Sequence, residues 1–393
     1  MIAVAGFCGF GGFCKGFQRA TGVSPKIAVN HWQPAIDLHR LNHPDTQHFC
    51  EDVHATDLLA ALAGEQAWWI HVSPDCTHFS RAKGAVPRLQ KIRALAWILV
   101  DWARQTLAPI LSLENVMEFL SWGPLDRRGH PIATREGKEF RAFIRALRQL
   151  GYVIEHRELC AADYGAPTIR RRLFLMARRD GQPIQWPAPT HGPGLLPQRT
   201  AADCIDWSIP APSIFARGKP LVDATCRRIA AGLMRFARPQ EATPGVLAWI
   251  AKHYTGVTGQ IIEKPLGTIT AWDHHSLCTT TTGDDDDPGA HRVAHFITSY
   301  YSGGGTHSRI TDPLPTIVAT ARHGLIRCTT TGRALVDIGM RMLTPRELAR
   351  GQGFDDSYML AGSVKDQIRC IGNSVCPQVA EALVRANCVL VAA

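Results

Sequence analysis

Cys76 is the residue of this chain whose position and type most clearly predict chemistry. A largely apolar run at residues 68–72 predicts a buried strand, and the run breaks at Ser73-Pro74 just before the cysteine. Open α/β sheets place reactive groups in turns of this kind, at the carboxyl ends of strands. A thiol is the side-chain nucleophile that is strong near neutral pH without a metal. We therefore expect Cys76 to attack an electrophilic atom of a substrate.

A carboxylate follows another apolar run at residues 109–113. A carboxyl group beside a buried strand can have a raised pKa and act as an acid, which is one interpretation of Glu114. A helix-capping acid is an equally good interpretation from the sequence alone.

Basic side chains gather in two places. Arg81 and Lys83 lie in a glycine-containing loop that follows Cys76 and Ser80, and such a loop suits a phosphate backbone. Arg170, Arg171 and Arg172 lie between two predicted strands at 152–159 and 172–177, and three consecutive arginines are typical of a solvated or phosphate-facing patch.

The elements that must position these residues begin at the N-terminus. Residues 2–7 predict a strand, residues 7–12 (Phe-Cys-Gly-Phe-Gly-Gly) a turn, and residues 13–21 a helix closed by Gly22. Glycines let the backbone approach a ligand, and a helix N-terminus offers free N–H groups, so this is the geometry of a nucleotide site. A plain tight turn would look much the same.

Two further strand ends carry candidate ligand contacts. A strand at 27–30 ends at His31-Trp32, where an acid usually meets ribose hydroxyls in doubly wound sheets. Trp32 could stack on an adenine ring or cap the core. A third strand end at 49–53 carries Asp52 and Val53, and Asp52 could accept from an adenine amino group or be a solvated loop acid.

Composition narrows the class of protein. The chain has 393 residues, a net charge of +9, and 12 cysteines without zinc spacing. The length predicts two domains, and the charge favours a polyanionic partner such as nucleic acid. Scattered cysteines in a long chain indicate a reducing cytosol. The glycine-broken N-terminus is not a signal peptide, no apolar run is long enough to span a membrane, and no metal site is expected.

The pattern of alternating strands and helices stops near Trp186, where prolines become frequent. The following block holds a near-repeat: a Pro-Leu-x-Thr-Ile segment leads to His275 and Leu277 in one copy, and to His323 and Leu325 in the other. Helical pattern returns after residue 340. The middle block is therefore interpreted as an insertion, mostly β or irregular, into one α/β domain.

Taken in order, these motifs resemble those of the cytosine-C5 DNA methyltransferases. The matching segments are residues 7–12, the Cys76 turn, Glu114-Asn115-Val116, Arg170-Arg171-Arg172, residues 346–354 and Gly372-Asn373-Ser374-Val375. The resemblance implies a Rossmann-like methyltransferase domain at 1–186, a target recognition domain at 187–340, and a return segment at 341–393 that completes the catalytic domain.

The resemblance also implies roles for single residues. Cys76 would be the nucleophile, Glu114 would contact the ring N3 and amino group, and Arg172 would meet the base O2, with Arg170 as its neighbour in the catalytic site. S-adenosylmethionine would be held by Phe7, Gly9, Gly11, Gly12, His31, Trp32, Asp52, Val53, Asn373 and Val375. The substrate would be contacted by Ser80, Arg81, Lys83 and Asn115.

The chain departs from the family's pattern at four positions. Ala5 and His31 stand where acids are usual, and Thr168 stands where Gln is usual. Asp75 replaces the proline that normally precedes the nucleophile. A carboxylate beside the thiol should raise the thiol's pKa above its reference of about 8.5 unless an arginine offsets it.

The expected activity is methylation of cytosine C5 in a specific double-stranded DNA sequence, by a protein that acts as a monomer in the cytoplasm at the nucleoid. A cognate restriction endonuclease is a candidate partner. Two alternatives stay open: a tRNA cytosine-C5 methyltransferase, and a catalytically weak DNA-binding member of the fold.

Overall fold

The computed structural model describes residues 1–76, 79, 89–222, 226, 229, 312–314 and 338–388, together with the backbone of the strands between 247 and 337. Ser80, Arg81 and Lys83 lie outside the described residues, as do the Pro-Leu segments of the near-repeat apart from Pro313 and Leu314. One compact unit comprises Met1–Arg199 and Leu348–Ala393, and the other lies within Thr200–Glu347.

The first unit is built on a seven-stranded sheet. Its strands are β1 (Ala3–Gly6), β2 (Ile27–Val29), β3 (Gln47–Phe49), β4 (Trp69–Val72), β5 (Ile110–Asn115), β6 (Val153–Cys160) and β7 (Arg171–Arg178). They lie in the order β3-β2-β1-β4-β5-β7-β6. Strands β1 to β5 pair in parallel, and β7 runs antiparallel to both β5 and β6. The predicted α/β, Rossmann-like class is confirmed.

Helices cover both faces of this sheet. They are α1 (Gly12–Thr21), α2 (Gln33–Asn42), α3 (Leu58–Leu62), α4 (Gln90–Arg93), α5 (Ile98–Thr106) and α6 (Lys138–Gln149). Val4 and Ile70 pack into one apolar cluster, whereas their neighbours Ala5 and Trp69 pack into another. Because successive strand residues point to opposite faces, both faces are buried, as the unbroken apolar runs require.

Three helices near the C-terminus follow: α7 (Pro345–Gln352), α8 (Val364–Gly372) and α9 (Pro377–Asn387). Helix α9 packs against α1, and Gly16 makes this possible because a Cβ there would meet Ala380 and the Pro377 carbonyl. Asn387 accepts a hydrogen bond from the Gln185 N–H at 3.0 Å and donates to the Gln185 carbonyl at 2.7 Å. The end of the chain thus completes the first unit.

Two antiparallel sheets form the second unit. Their strands are β8 (Leu247–Lys252), β9 (Gln260–Ile261), β10 (His275–Thr280), β11 (His291–Ser299), β12 (His307–Arg309), β13 (His323–Thr331) and β14 (Ala334–Met342). The sheet orders are β10-β8-β9 and β12-β11-β13-β14. The two copies of the near-repeat form strands β10 and β13, so this block is rich in β-structure, as the pattern predicts.

Two boundaries differ from the prediction. The third strand ends at Phe49 rather than at Val53, because the Asp52 carboxylate accepts the His54 N–H at 2.9 Å and closes a turn there. Arg341 belongs to β14 and not to the helix that follows. A capping box opens that helix: the Thr344 N–H donates to Glu347, and the Glu347 N–H donates to the Thr344 hydroxyl.

Buried histidines stand behind the glycine turn. His39 and His43 have no exposed surface, and His39 Nδ1 lies 2.8 Å from Nε2 of His48. His43 Nε2 lies 3.2 Å from the Tyr358 hydroxyl, which donates to the Phe10 carbonyl. Burial lowers the pKa of His43 from 6.5 to about 4, with help from Lys15, and burial also lowers the pKa of His39.

The unfolding free energy should fall as the pH drops from about 6.5 to about 4. The pKa of His43 is lower in the folded protein than in the unfolded chain, so the unfolded chain binds more protons between these pH values. Acidification therefore favours the unfolded state. His43 alone should account for a loss on the order of 3 kcal/mol. Urea unfolding at several pH values measures this.

His43→Gln should flatten this pH dependence, whereas His54→Gln, a change at an exposed loop histidine, should leave it as in the wild type. Equal slopes for the wild type and His43→Gln would contradict the expectation.

Candidate active site

The strand order of the first sheet reverses between β1 and β4. Parallel strands whose crossovers run in opposite directions leave a crevice at their carboxyl ends. Gly6 at the end of β1 pairs with Val72 at the end of β4. The glycine turn and the Cys76 turn therefore leave the sheet side by side.

A cavity of about 100 Å³ opens at this place. Its described lining comes from the ends of four strands, the turn before β7 and helix α8: Phe7, Gly9, Asn30, His31, Trp32, Ala35, Ser73, Pro74, Asp75, Cys76, Glu114, Arg170, Arg369, Cys370 and Asn373. The cavity thus joins Cys76 and Glu114, which are far apart in sequence. Metal ligation has no support in the described part of the chain, where no cluster of three or more His, Cys, Asp or Glu could hold an ion.

Glu114 is a buried carboxylate set between two guanidinium groups. It lies within β5, which continues to Asn115 because β7 pairs alongside it. Its Oε1 is 3.3 Å from Nε of Arg172 and 3.8 Å from a terminal nitrogen of Arg170. The same Oε1 makes no hydrogen bond and is buried. An oxygen in this state in a cavity wall is free to bond a ligand.

Arg170 connects the cavity to the turn after α8. Its side chain is buried and donates to the Gly372 carbonyl at 3.0 Å. Burial and the neighbouring Arg172 lower its pKa to about 10, against the effect of Glu114. At neutral pH the guanidinium therefore remains charged.

The Cys76 thiol is held in its protonated form by its surroundings. Burial is the main cause that raises its pKa; Arg172 and Arg170 lower it, while Glu114 and Asp75 raise it. The expected effect of Asp75 is thus confirmed in direction, but it is the smallest of these causes. The side chain of Asp75 is exposed, so solvent screens its charge.

Asn115 positions the turn that carries Cys76. It is fully buried, its Nδ2 donates to the Pro74 carbonyl at 3.1 Å, and its Oδ1 accepts the Val116 N–H at 2.9 Å. Both the nitrogen and the oxygen of the Asn115 side-chain amide therefore form hydrogen bonds with backbone atoms. The structure gives Asn115 a supporting place instead of the substrate contact expected from the sequence.

The glycine turn brings main chain to the cavity. Phe7 and Gly9 both line it and both have positive φ, 56° and 52°. Gly11 caps α1 with φ 89° and faces Tyr358 instead of the cavity. A Cβ on Gly12 would collide with the Val375 carbonyl, so this glycine permits close packing of α1 against the turn after α8.

A smaller cavity lies next to the glycine turn. Its described lining is Ala5, Phe7, Cys8, Gly12, Phe13, His71, Ser73, Asn373, Ser374 and Val375. Phe7, Ser73 and Asn373 line both cavities. The two hollows therefore share a boundary at the ends of β1 and β4.

His31 and Trp32 line the main cavity, but Asp52 and Val53 do not. Asp52 is exposed, and Val53 is buried in the core. Arg369, which no sequence motif pointed to, also lines this cavity, and its guanidinium lies 4.1 Å from the centre of the Trp32 ring. Its position one helical turn before Asn373 was the available signal, because residues four apart share a helix face.

Comparison with known proteins now adds the family. A profile described as the C-5 cytosine-specific DNA methylase family matches residues 6–203 and 259–387. The chain belongs to this family. It is a DNA cytosine-C5 methyltransferase, and as a methyltransferase it requires a methyl donor.

Several relatives are similar over most of the chain. The type II methyltransferase M.AgeI of Thalassovita gelatinovora is 24% identical over 96% of both chains. M.AquIA of Picosynechococcus is 27% identical over 53% of this chain and 90% of its own. DNA (cytosine-5)-methyltransferase 1 of Mus musculus is 24% identical over 96% of this chain, which spans only 27% of that protein.

Solved structures share the fold. A DNA modification methyltransferase encoded within an E. coli prophage superposes with a TM-score of 0.57, at 19% identity and 98% coverage of both chains. The Dnmt2 methyltransferase of S. pombe superposes with a TM-score of 0.52, at 14% identity, over 98% of this chain and 97% of its own. None of the described helices is long and apolar enough to cross a membrane.

The pH dependence of Cys76 alkylation should depend more on Arg172 than on Asp75. Arg172→Gln removes the larger stabilising charge and should move the profile to higher pH, whereas Asp75→Asn should move it slightly lower. Iodoacetamide labelling of the Cys76 peptide, followed by mass spectrometry, measures this. Exposed Cys50 in the same sample serves as the internal reference. A larger shift for Asp75→Asn than for Arg172→Gln would contradict this account.

Proposed function

We propose that this methyltransferase transfers a methyl group from S-adenosylmethionine to C5 of cytosine in a specific double-stranded DNA sequence, through a covalent bond between Cys76 and C6 of an extruded base. One observation carries the proposal: a thiol and a buried carboxyl group with an unbonded oxygen line the same cavity, with Arg170 and Arg172 beside them.

The chemistry requires these two groups together. Cytosine C5 is a poor nucleophile, and addition of the Cys76 thiolate at C6 makes C5 electron-rich. Glu114 takes part in its protonated form, in which it would donate a proton to N3 and ease that addition, and Arg172 would bond the base O2. Once C5 carries the methyl group, a base would remove the C5 proton, the C6–S bond would break and Cys76 would leave as a thiolate.

Two arginines offset the effect of burial on the thiol. Because burial raises the pKa of Cys76, few thiolates form at neutral pH in the free protein. Arg172 and Arg170 act in the opposite direction. Their positive charges also compensate the negative charge of Glu114, because burial of an isolated carboxylate would cost free energy.

The residues around the cavity fit the proposed donor. Trp32 offers an aromatic ring to an adenine, and Phe7 and Gly9 bring main chain close to a ligand without intervening side-chain bulk. Asn373 lies between the two cavities and would contact the donor from the side of α8. S-adenosylmethionine supplies an electrophilic methyl group on a sulfonium.

The target cytosine must leave the stacked duplex to enter a cavity of this kind. The loop with Ser80, Arg81 and Lys83 would contact the DNA backbone, and the net charge of +9 favours that polyanion. We assign sequence recognition to residues 187–340, inserted between the catalytic segments 1–186 and 341–393. Relatives named as type II methyltransferases support a role in restriction-modification, with a cognate endonuclease as partner and the enzyme acting as a monomer at the nucleoid.

Cys76→Ala should abolish methylation and keep DNA binding, because it removes one sulfur atom from the cavity wall and no surface charge. Methylome sequencing of a host that expresses the variant, with Cys50→Ala as the exposed-cysteine control, measures the loss. Undiminished 5-methylcytosine in cells with only Cys76→Ala would overturn the covalent mechanism.

A 5-fluorocytosine trap separates the alternatives. With S-adenosylmethionine, wild-type protein should form a covalent adduct with a duplex that carries the modified base in its target site, and Cys76→Ala should form none. An adduct with modified tRNA but not with the duplex would favour the tRNA methyltransferase. Binding of DNA without any adduct would favour a catalytically weak member of the fold.

A further inference from the structure

A chain of hydrogen bonds runs beneath the site from the core to the edge of the cavities. The Trp69 indole N–H donates to the Ser112 hydroxyl at 2.7 Å, and Ser112 Oγ lies 2.8 Å from Nδ1 of His71. His71 Nε2 lies 2.8 Å from the Ser73 hydroxyl. Trp69, His71 and Ser112 are almost fully buried, and Ser73 is half-buried.

The direction of this chain follows from the chemistry of its first member. An indole N–H can only donate, so Ser112 Oγ accepts from Trp69. The Ser112 hydrogen then goes to His71 Nδ1, the remaining partner of that hydroxyl. A neutral imidazole that accepts at Nδ1 carries its hydrogen on Nε2 and donates there to Ser73. The hydrogen of the Ser73 hydroxyl is left for another acceptor.

The opposite direction leaves a buried donor without a partner. If Ser73 donated to His71 and His71 donated to Ser112, the Ser112 hydrogen would have no acceptor in the core. A buried unpaired donor costs about 1–3 kcal/mol. Ser73, in contrast, borders two cavities where a ligand can accept its hydrogen.

The imidazole of His71 is fixed in the neutral form and in orientation. Burial lowers its pKa from 6.5 to about 3, so it is uncharged at neutral pH. Its ring stacks on Phe13, with centroids 3.8 Å apart and planes 6° apart. These constraints hold Nε2 toward Ser73.

The described lining of the smaller cavity offers few side chains that could bind an anion. No lysine, arginine or acid is found in its described lining, and Ser374 already donates to the Val375 carbonyl at 3.1 Å. The Ser73 hydroxyl is therefore a hydrogen-bond donor whose hydrogen is available to a ligand, and it lies beside Asn373 and Gly12, the first residue of α1. Neutral donors of this kind suit a carboxylate, whose oxygens only accept when ionised.

We propose that Ser73 donates a hydrogen bond to the carboxylate of the methyl donor's amino-acid portion, and that His71 is a positioning residue that acts through Ser73. This inference rests on S-adenosylmethionine being the donor. Its site lies on the boundary that the donor and the target base would share, because Ser73 lines both cavities.

The test compares two donors on the full-length protein by calorimetry: S-adenosylmethionine and its decarboxylated analogue. Ser73→Ala should bind S-adenosylmethionine about tenfold more weakly, the loss expected for one hydrogen bond to a charged group. The same variant should bind the decarboxylated analogue as the wild type does. A general disturbance of the turn would weaken both ligands.

The role of His71 is tested with His71→Phe, which keeps a ring to stack on Phe13 and removes both nitrogens. It should weaken S-adenosylmethionine binding selectively, and Ser73→Ala/His71→Phe should bind no more weakly than Ser73→Ala. Ser112→Ala serves if His71→Phe does not fold. It removes the Ser112 hydroxyl that holds His71 Nδ1 as an acceptor, so the hydrogen can move to Nδ1 and Nε2 can accept the Ser73 hydrogen; the same selective loss is expected.

Failure of the inference is distinct from failure of the proposed function. If wild-type protein does not bind S-adenosylmethionine, the proposed donor is wrong. If wild-type protein binds it and Ser73→Ala binds equally well, or loses affinity for both ligands alike, the role of Ser73 is overturned. Additive losses in the double variant would overturn the role of His71.

Discussion

The site depends on a carboxylate buried between two guanidinium groups opposite a thiol. A lone carboxylate in such a place would lose its hydration without replacement, and Arg170 and Arg172 supply the compensating charge. The same arginines act on Cys76, whose pKa is raised by burial and lowered by their charge. One arrangement of three charges therefore acts on the pKa of the Cys76 thiol and keeps a carboxylate in the cavity wall. Removal of any one of these charges alters the other two groups.

Distant parts of the chain are tied together around this arrangement. Arg170 bonds the Gly372 carbonyl, and Gly12 allows the start of α1 to touch Val375. The turn after α8 is thus fixed both by Arg170 and by the start of α1. Asn115 fixes the Cys76 turn by its bond to Pro74. The reacting groups are held by buried hydrogen bonds and close packing, which suits a reaction that requires exact placement of a methyl group between two molecules.

Much of the fold could be predicted because its signals are local. Apolar runs predicted β1, β4 and β5 to within two residues, and the glycines on either side predicted α1 to within one residue. The prediction was wrong at Val53 and Arg341, where a side chain bonds to nearby groups and overrides the strand or helix pattern. Helix α5 is reached through a short 3-10 segment, Ala94–Trp97, that periodicity does not reveal.

The sequence by itself determined which chemical groups are available. Residue type and position are enough to recognise a cysteine and a carboxylate at strand ends, a glycine turn, and nearby arginines. Only the tertiary structure decided which of these meet. It brought Arg369 onto Trp32, left Asp52 and Val53 outside the cavity, and turned Asn115 into a support. It also aligned Trp69, Ser112, His71 and Ser73, which lie on β5, on β4 or directly after β4, with 43 residues of sequence between Trp69 and Ser112. The physical reason is that sequence patterns record burial and local backbone preference, whereas the direction of a side chain and the identity of its partner are fixed by packing between elements that are remote in the chain.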